Sequence, residues 1–168
     1  MRILICLASI LLLLESPNAA AQTANIIETY KDWQVYTADV EGKKICFAAS
    51  GPKVILPKKA SRGKILFYVS IWDGEGGVRN EISIKIGYPF KPGSAPTVEV
   101  GTEKISMFVE NDRAFVEKTA DEQRLVAAMR KGNVLVVNGV SKRGTRTLDR
   151  YSLTGLSAAL DRIAKECP

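Results

Sequence analysis

Removal of an N-terminal leader would leave this chain two cysteines, Cys46 and Cys167, near opposite ends of what remains. The leader is legible in MRILICLASILLLLESPNAAAQ: Arg2, an apolar run from Ile3 to Leu14 interrupted only by Ser9, then Ala19-Ala20-Ala21 in the A-x-A form of a cleavage site. The run is shorter than the ~20 residues a membrane-spanning helix needs. Residues 1–21 therefore read as a secretory signal peptide cut before Gln22, with no transmembrane span afterwards, and Cys6 leaves with it. Cys46 and Cys167 then have one intramolecular pairing available. Such a bond persists in an oxidising compartment, a bacterial periplasm or the cell exterior. In the chain-entropy account a loop of ~100 residues corresponds to about 4.7 kcal/mol of stabilisation. The rival reading is two free thiols open to chemistry.

Residues 22–168 are expected to form one domain. Short β-type runs dominate. DWQVYTADV alternates loosely and is followed by Gly42 in a hairpin turn; KKICFAAS is the next strand; KVILPKKASRGK is a basic connection preceded by Pro52 and broken by Pro57. KILFYVSIW is rich in branched and aromatic residues and ends on DGEGG. NEISIKIGYPF places Ile82, Ile84 and Ile86 on one face and Glu81, Ser83 and Lys85 on the other, the pattern of a half-buried antiparallel strand. Two segments depart from this. TADEQRLVAAMRKG predicts a helix over about 120–131, with Thr119 placed to cap it, Asp121 and Glu122 in its first turn and Gly132 at its end. After a hairpin turning at Gly144, Leu156, Leu160 and Ile163 predict a second helix over about 155–165. The expected fold is mainly β, an antiparallel β-sandwich or barrel-like sheet with two short helices.

The chain contains no histidine. That removes Ser-His-Asp and Cys-His nucleophile arrangements and histidine-based metal sites, and a disulfide would remove thiolate chemistry as well. The remaining motifs read blandly. Ser61-Arg62-Gly63-Lys64 matches S-x-x-K, but it lies in a loop and lacks the S-D-N and K-T-G partners. DGEGG lacks the Lys-Ser/Thr of a phosphate loop and leads into a strand, so it reads as a hairpin turn, and Asp73 and Glu75 lack the further ligands of a calcium loop. The carboxylates Glu110 with Asp112, and Asp121 with Glu122, read as solvated turn or helix-start residues. Trp33, Trp72, Tyr88 and Phe90 read as core or rim residues. No metal site, cofactor or catalytic residue is expected.

Charge is the more informative property. Lysine and arginine number 24 against 18 acids, and Arg2 and Glu15 leave together with the leader, so the +6 balance survives cleavage. A basic exported protein is drawn to anionic surfaces such as lipid headgroups or lipopolysaccharide, and nucleic acid is not expected in that compartment. The basic residues cluster as Lys58, Lys59, Arg62 and Lys64, as Arg130 and Lys131, and as Lys142, Arg143 and Arg146. Either these are three separate solvated loops, or the fold unites them into an anion-binding face.

Taken in order, DWQVYTADVEGKKICFAAS, VRNEISIKIGYPFKPGS, RLVAAMRKG and SKRGTRTLDRYSLTGLSAALDRIAKEC resemble the invasion-associated locus B proteins, small exported proteins found chiefly in alphaproteobacteria. The resemblance spans essentially the whole mature chain and includes both cysteines. It implies a β-rich domain behind a signal peptide, in the periplasm or at the outer envelope, with no catalytic motif to carry over. Some relatives carry a further cysteine near the Trp-x-Val strand; Tyr36 and Thr37 stand there here, so a second disulfide is not expected.

The leading expectation is a non-enzymatic exported binding module, linked to host-cell invasion or envelope integrity. Its anion contacts would come from Lys58, Lys59, Arg62, Lys142, Arg143 and Arg146. A structural or chaperone-like factor pairing through a sheet edge is the alternative. A hydrolase of unrecognised type stands behind both.

Overall fold

The computed structural model describes residues 23–168, so the expected leader lies outside the described residues. Twelve strands and two helices appear among these residues. β1 (Asn25–Tyr30), β2 (Trp33–Val40), β3 (Lys43–Ser50), β5 (Leu66–Trp72), β6 (Arg79–Lys85), β10 (Arg113–Phe115) and β9 (Phe108–Glu110) form, in that order, a seven-stranded sheet. The second sheet runs β4 (Val54–Leu56), β12 (Arg146–Ser152), β11 (Val134–Val140), β7 (Thr97–Val100) and β8 (Glu103–Ser106). Every strand pairing is antiparallel. The sheets do not close into a barrel. One apolar cluster joins both sheets and the helices α1 (Thr119–Lys131) and α2 (Leu156–Glu166).

Local chemistry explains the turns. Glu41 and Gly42 both take positive φ between β2 and β3, the geometry of a two-residue hairpin whose twist matches its strands. Between β5 and β6 the DGEGG turn is followed by a bulge at Asn80 (φ 61°), where Ser70 and Ile71 oppose Glu81 and Arg79. Arg79 thereby reaches the Cys167 carbonyl at 3.3 Å, and Lys44 bonds the Glu166 carbonyl at 3.0 Å. Both cations complement the negative end of α2. Cys46 and Cys167 are disulfide-bonded, with Cα atoms 6.0 Å apart, so the helix end is tied to the second β-hairpin strand. The N-terminus of α2 depends on Gly155 (φ 92°), since a side chain there would run into the Tyr30 carbonyl.

Both helices fall within a residue of their expected bounds, with Leu156, Leu160 and Ile163 buried as the spacing requires. Three expectations are corrected. Thr119 is the first helical residue rather than the cap; Lys118 occupies the cap position, with no side-chain cap bond. The connection KVILPKKASRGK contains the short edge strand β4. Finally, β6 is more than half-buried: Ile82 and Ile84, with Ile86 just beyond its end, are fully buried, and Ser83 on the opposite face is buried too.

Cross-strand aromatics bury Ser83. Register places Tyr36, Phe47, Tyr68, Ser83, Phe115 and Phe108 on the outer face of the seven-stranded sheet. Tyr36 stacks on Phe47 at 4.9 Å and Phe108 on Phe115 at 5.3 Å. The ring faces are turned toward one another across the strands, so the row stabilises neighbouring strands.

Between the sheets lies a buried ion pair. Arg62, in the loop before β5, donates to both oxygens of Asp149 on β12, each at 2.6 Å, and to the Ile86 carbonyl at 3.1 and 2.8 Å. The side chains are 4% and 0% exposed. The guanidinium also stands 5.0 Å from the centre of the Tyr88 ring, whose hydroxyl is hydrogen-bonded to Thr147 on β12. Gly139 on β11 makes room for Tyr88, since a Cβ there would come within 2.6 Å of its hydroxyl.

Losing one partner strands a buried charge, whereas replacing both with apolar groups does not. Asp149→Leu is expected to cost about 3–5 kcal/mol in urea unfolding, and Arg62→Met with Asp149→Leu to restore most of it. Equal losses in the single and double variants would contradict the pairing.

Candidate anion-binding end

The antiparallel registers decide where the basic loops meet. β4 pairs with β12 through Leu56 opposite Leu148 and Val54 opposite Arg150, so the chain leaving Leu56 runs toward Arg146. Lys58 and Lys59 follow there. The turn between β11 and β12 carries Lys142 and Arg143 at the same end. An isolated bridge between Phe90 and Ser141, with the Lys91 amide donating to the Val140 carbonyl at 2.9 Å, brings a further cation into the group. Gly63 donates to the Gly87 carbonyl at 2.8 Å and closes the arrangement from the side of the Arg62 loop.

Lys58, Lys59, Lys91, Lys142, Arg143 and Arg146 are all exposed, and none belongs to an ion pair found among the described residues. The segments supplying them, 42–72, 82–98 and 123–148, contain no aspartate or glutamate. Two of the three sequence clusters thus meet. Arg130 and Lys131 do not join them: they end α1 beside the opposite end of β11, and Arg130 pairs with Asp161 at 2.9 Å. Arg62 is a second correction, because its donors are spent on Asp149 and Ile86 inside the protein and it is no anion contact. Lys91 was missed in the sequence. Its signal was a lone lysine in KPGS, whose relevance depends on a contact some fifty residues downstream.

Two clefts open here. One of about 510 Å³ lies between β4 and the Arg62 loop, with Lys53, Val54, Ile55, Lys58 and Ala60 among its walls. Lys53 is engaged by Asp32 at 2.5 Å and, mainly through that bond, holds the Asp32 carboxyl below its ordinary range. The other, about 260 Å³, lies between the Lys91–Ser94 and Ser141–Gly144 turns.

Other motifs have structural employment. Ser61 and Lys64 are exposed in a loop, without the helix that aligns an S-x-x-K pair. Asp73 accepts the Gly74 amide at 2.9 Å within the β5–β6 turn. No group of three or more cysteines and acids able to hold a metal occurs among the described residues. Trp33, Tyr88 and Phe90 are core residues, and Trp72 is half-buried on the outer face of β5. Sheet edges are short at β4, β8 and β9, and β1 carries a register shift between Ile26 and Glu28, features that resist strand addition. The described residues contain no helix long and apolar enough to cross a membrane.

Glu122 differs from its expected solvated state. It is 5% exposed, and its carboxylate accepts the Ile82 amide at 3.1 Å beyond the end of the β6–β10 ladder. Burial pushes its carboxyl above the ordinary carboxylate range; the Ile82 amide opposes that rise and the charge of Glu81 adds to it. A carboxyl raised in the folded state contributes its full stability below the unfolded pKa and loses it as pH climbs through the folded value. Urea melts should therefore find wild type most stable relative to Glu122→Gln in acid, with the advantage shrinking as pH rises above the unfolded value of about 4.5. A difference that does not vary with pH would contradict the buried carboxyl.

A family model described as invasion associated locus B (IalB) protein matches residues 33–164, from the first residue of β2 into α2. No match was found among curated proteins or solved structures.

Proposed function

The chain belongs to the invasion associated locus B family, and on that premise we propose that it is a non-enzymatic binding module of the bacterial envelope. Its partner is a surface of phosphate-bearing lipid headgroups, and it works in the periplasm or at the outer envelope. The observation that carries this reading is the convergence of six exposed cations, from loops without acids, on one end of the second sheet. A cluster of this kind attracts an anionic surface with about 1 kcal/mol per cation near the headgroups.

Apolar side chains adjoin the cations. Val54 and Leu56, exposed at 40% and 41%, point outward on β4 just ahead of Lys58. Leu148 lies opposite Leu56 on the same face. Cations flanked by exposed aliphatic groups suit the boundary between headgroups and acyl chains. The Cys46–Cys167 bond fits an oxidising compartment.

The test is retention on phosphatidylglycerol vesicles over a range of salt. Changing Lys58, Lys59, Lys142 and Arg143 together to Gln should abolish retention, each single change weakening it about fivefold. Arg130→Gln with Lys131→Gln, at the opposite end, should leave it intact. Equal loss from both sets, or unchanged retention in the quadruple variant, would overturn the reading.

A further inference from the structure

The smaller cleft has features that a general attraction to negative surfaces does not require. One wall is the turn Lys91-Pro92-Gly93-Ser94, closed by the Ser94 amide and hydroxyl, both donating to the Lys91 carbonyl at 3.0 and 2.6 Å. The other is the turn from Ser141 to Gly144, closed by the Gly144 amide on the Ser141 carbonyl at 2.8 Å and buttressed by the Thr145 amide on the Ser141 hydroxyl at 3.2 Å. The Lys142 amide, donating to the Pro89 carbonyl at 2.8 Å, fixes one turn against the other. Lys91 and Arg146 contribute the charge of the lining.

Glycine is required in both turns, with φ of 72° at Gly93 and 86° at Gly144. A Cβ at either would meet nothing within 4 Å, so the backbone of both turns borders open space. Arg146 offers a planar fork for two oxygens and Lys91 a point charge for a third. That complement suits a terminal phosphate, which presents three oxygens and close to two negative charges at neutral pH. A diester headgroup, with one charge and two free oxygens, satisfies it less completely.

We propose that the cleft between the Lys91–Ser94 and Ser141–Gly144 turns is a binding site for a phosphomonoester, held by Arg146 and Lys91 beside the two open glycine turns. This rests on the reading that the basic end meets anionic headgroups, and adds to it a selection among them. The phosphate comes either from a lipid carrying a terminal phosphate or from a small soluble phosphate, and two arms of one experiment separate these sources.

In the first arm, vesicles containing phosphatidic acid are compared with vesicles of matched charge containing phosphatidylglycerol. In the second, inorganic phosphate is titrated into the full mature chain while amide shifts of Gly93, Ser94 and Gly144 are followed by NMR. Wild type should favour phosphatidic acid by about tenfold, the size of one charge-assisted contact. Lys91→Gln with Arg146→Gln should erase the preference and the amide response while keeping the melting temperature. Arg146→Lys should reduce the preference at constant charge. The variant lacking Lys58, Lys59, Lys142 and Arg143 should lose affinity for both vesicles yet keep the amide response. Amide shifts without a vesicle preference would support the site and identify a soluble phosphate as its source. Equal retention on both vesicles with unmoved amides would overturn the cleft and leave the anionic-surface reading standing. Shifts in the amides without retention on any vesicle would do the reverse.

Discussion

The paired charge of Arg62 and Asp149 is the interaction on which the arrangement of this protein depends. It joins a loop, the end of β6 and the middle of β12, three segments far apart in the chain. Burying two ions has a large desolvation cost, so the pair contributes less to net stability than its short distances suggest. What it specifies is position. With Arg62 drawn inward and its neighbour Gly63 bonded to Gly87, the loop returning from β4 lies over the end of the sandwich and leaves Lys58 and Lys59 outside. Cations in one short segment thus take opposite roles, one internal and two facing solvent.

Charge segregation then follows from topology. Several acids meet cations elsewhere on the fold: Asp32 with Lys53, Glu99 with Lys104, Asp161 with Arg130, and Glu166 with Lys44 and Arg162. The loops at the Lys58 end have no such partners in their own segments. The disulfide and the cations around the Glu166 and Cys167 carbonyls secure the C-terminal helix against the first sheet. Fold maintenance and the exposed basic end therefore draw on different residues, which lets the surface be altered without loss of structure.

Much of the fold is legible in the sequence because its signals are local. The 3.6-residue spacing of Leu156, Leu160 and Ile163, the Glu41-Gly42 turn and the alternation of Ile82, Ile84 and Ile86 each depend on residues within one element. The failures are non-local. Nothing near Arg62 announces that Asp149 will reach it, and an arginine beside two lysines reads as one more solvated cation. Glu122 sits where a first-turn acid suits the helix dipole, while its burial is decided by a β6 amide forty residues earlier. Ser83 looked solvent-facing because the aromatics that cover it come from neighbouring strands. The basic end is half legible: the three clusters stand out in the sequence, whereas the union of two of them, the exclusion of Arg130 and Lys131, and the entry of Lys91 require the strand register.

The central claim is that lysines distant in sequence share one end of the folded chain, and lysine-specific cross-linking followed by peptide mass spectrometry tests it most directly. The native protein should yield links joining Lys58 or Lys59 to Lys91 and Lys142, with Lys131, about 20 Å away along the β11–β12 hairpin, linked to none of them by a short reagent. Links from Lys131 to Lys142 in comparable yield, or no links between the Lys58 loop and Lys91 or Lys142, would contradict the account.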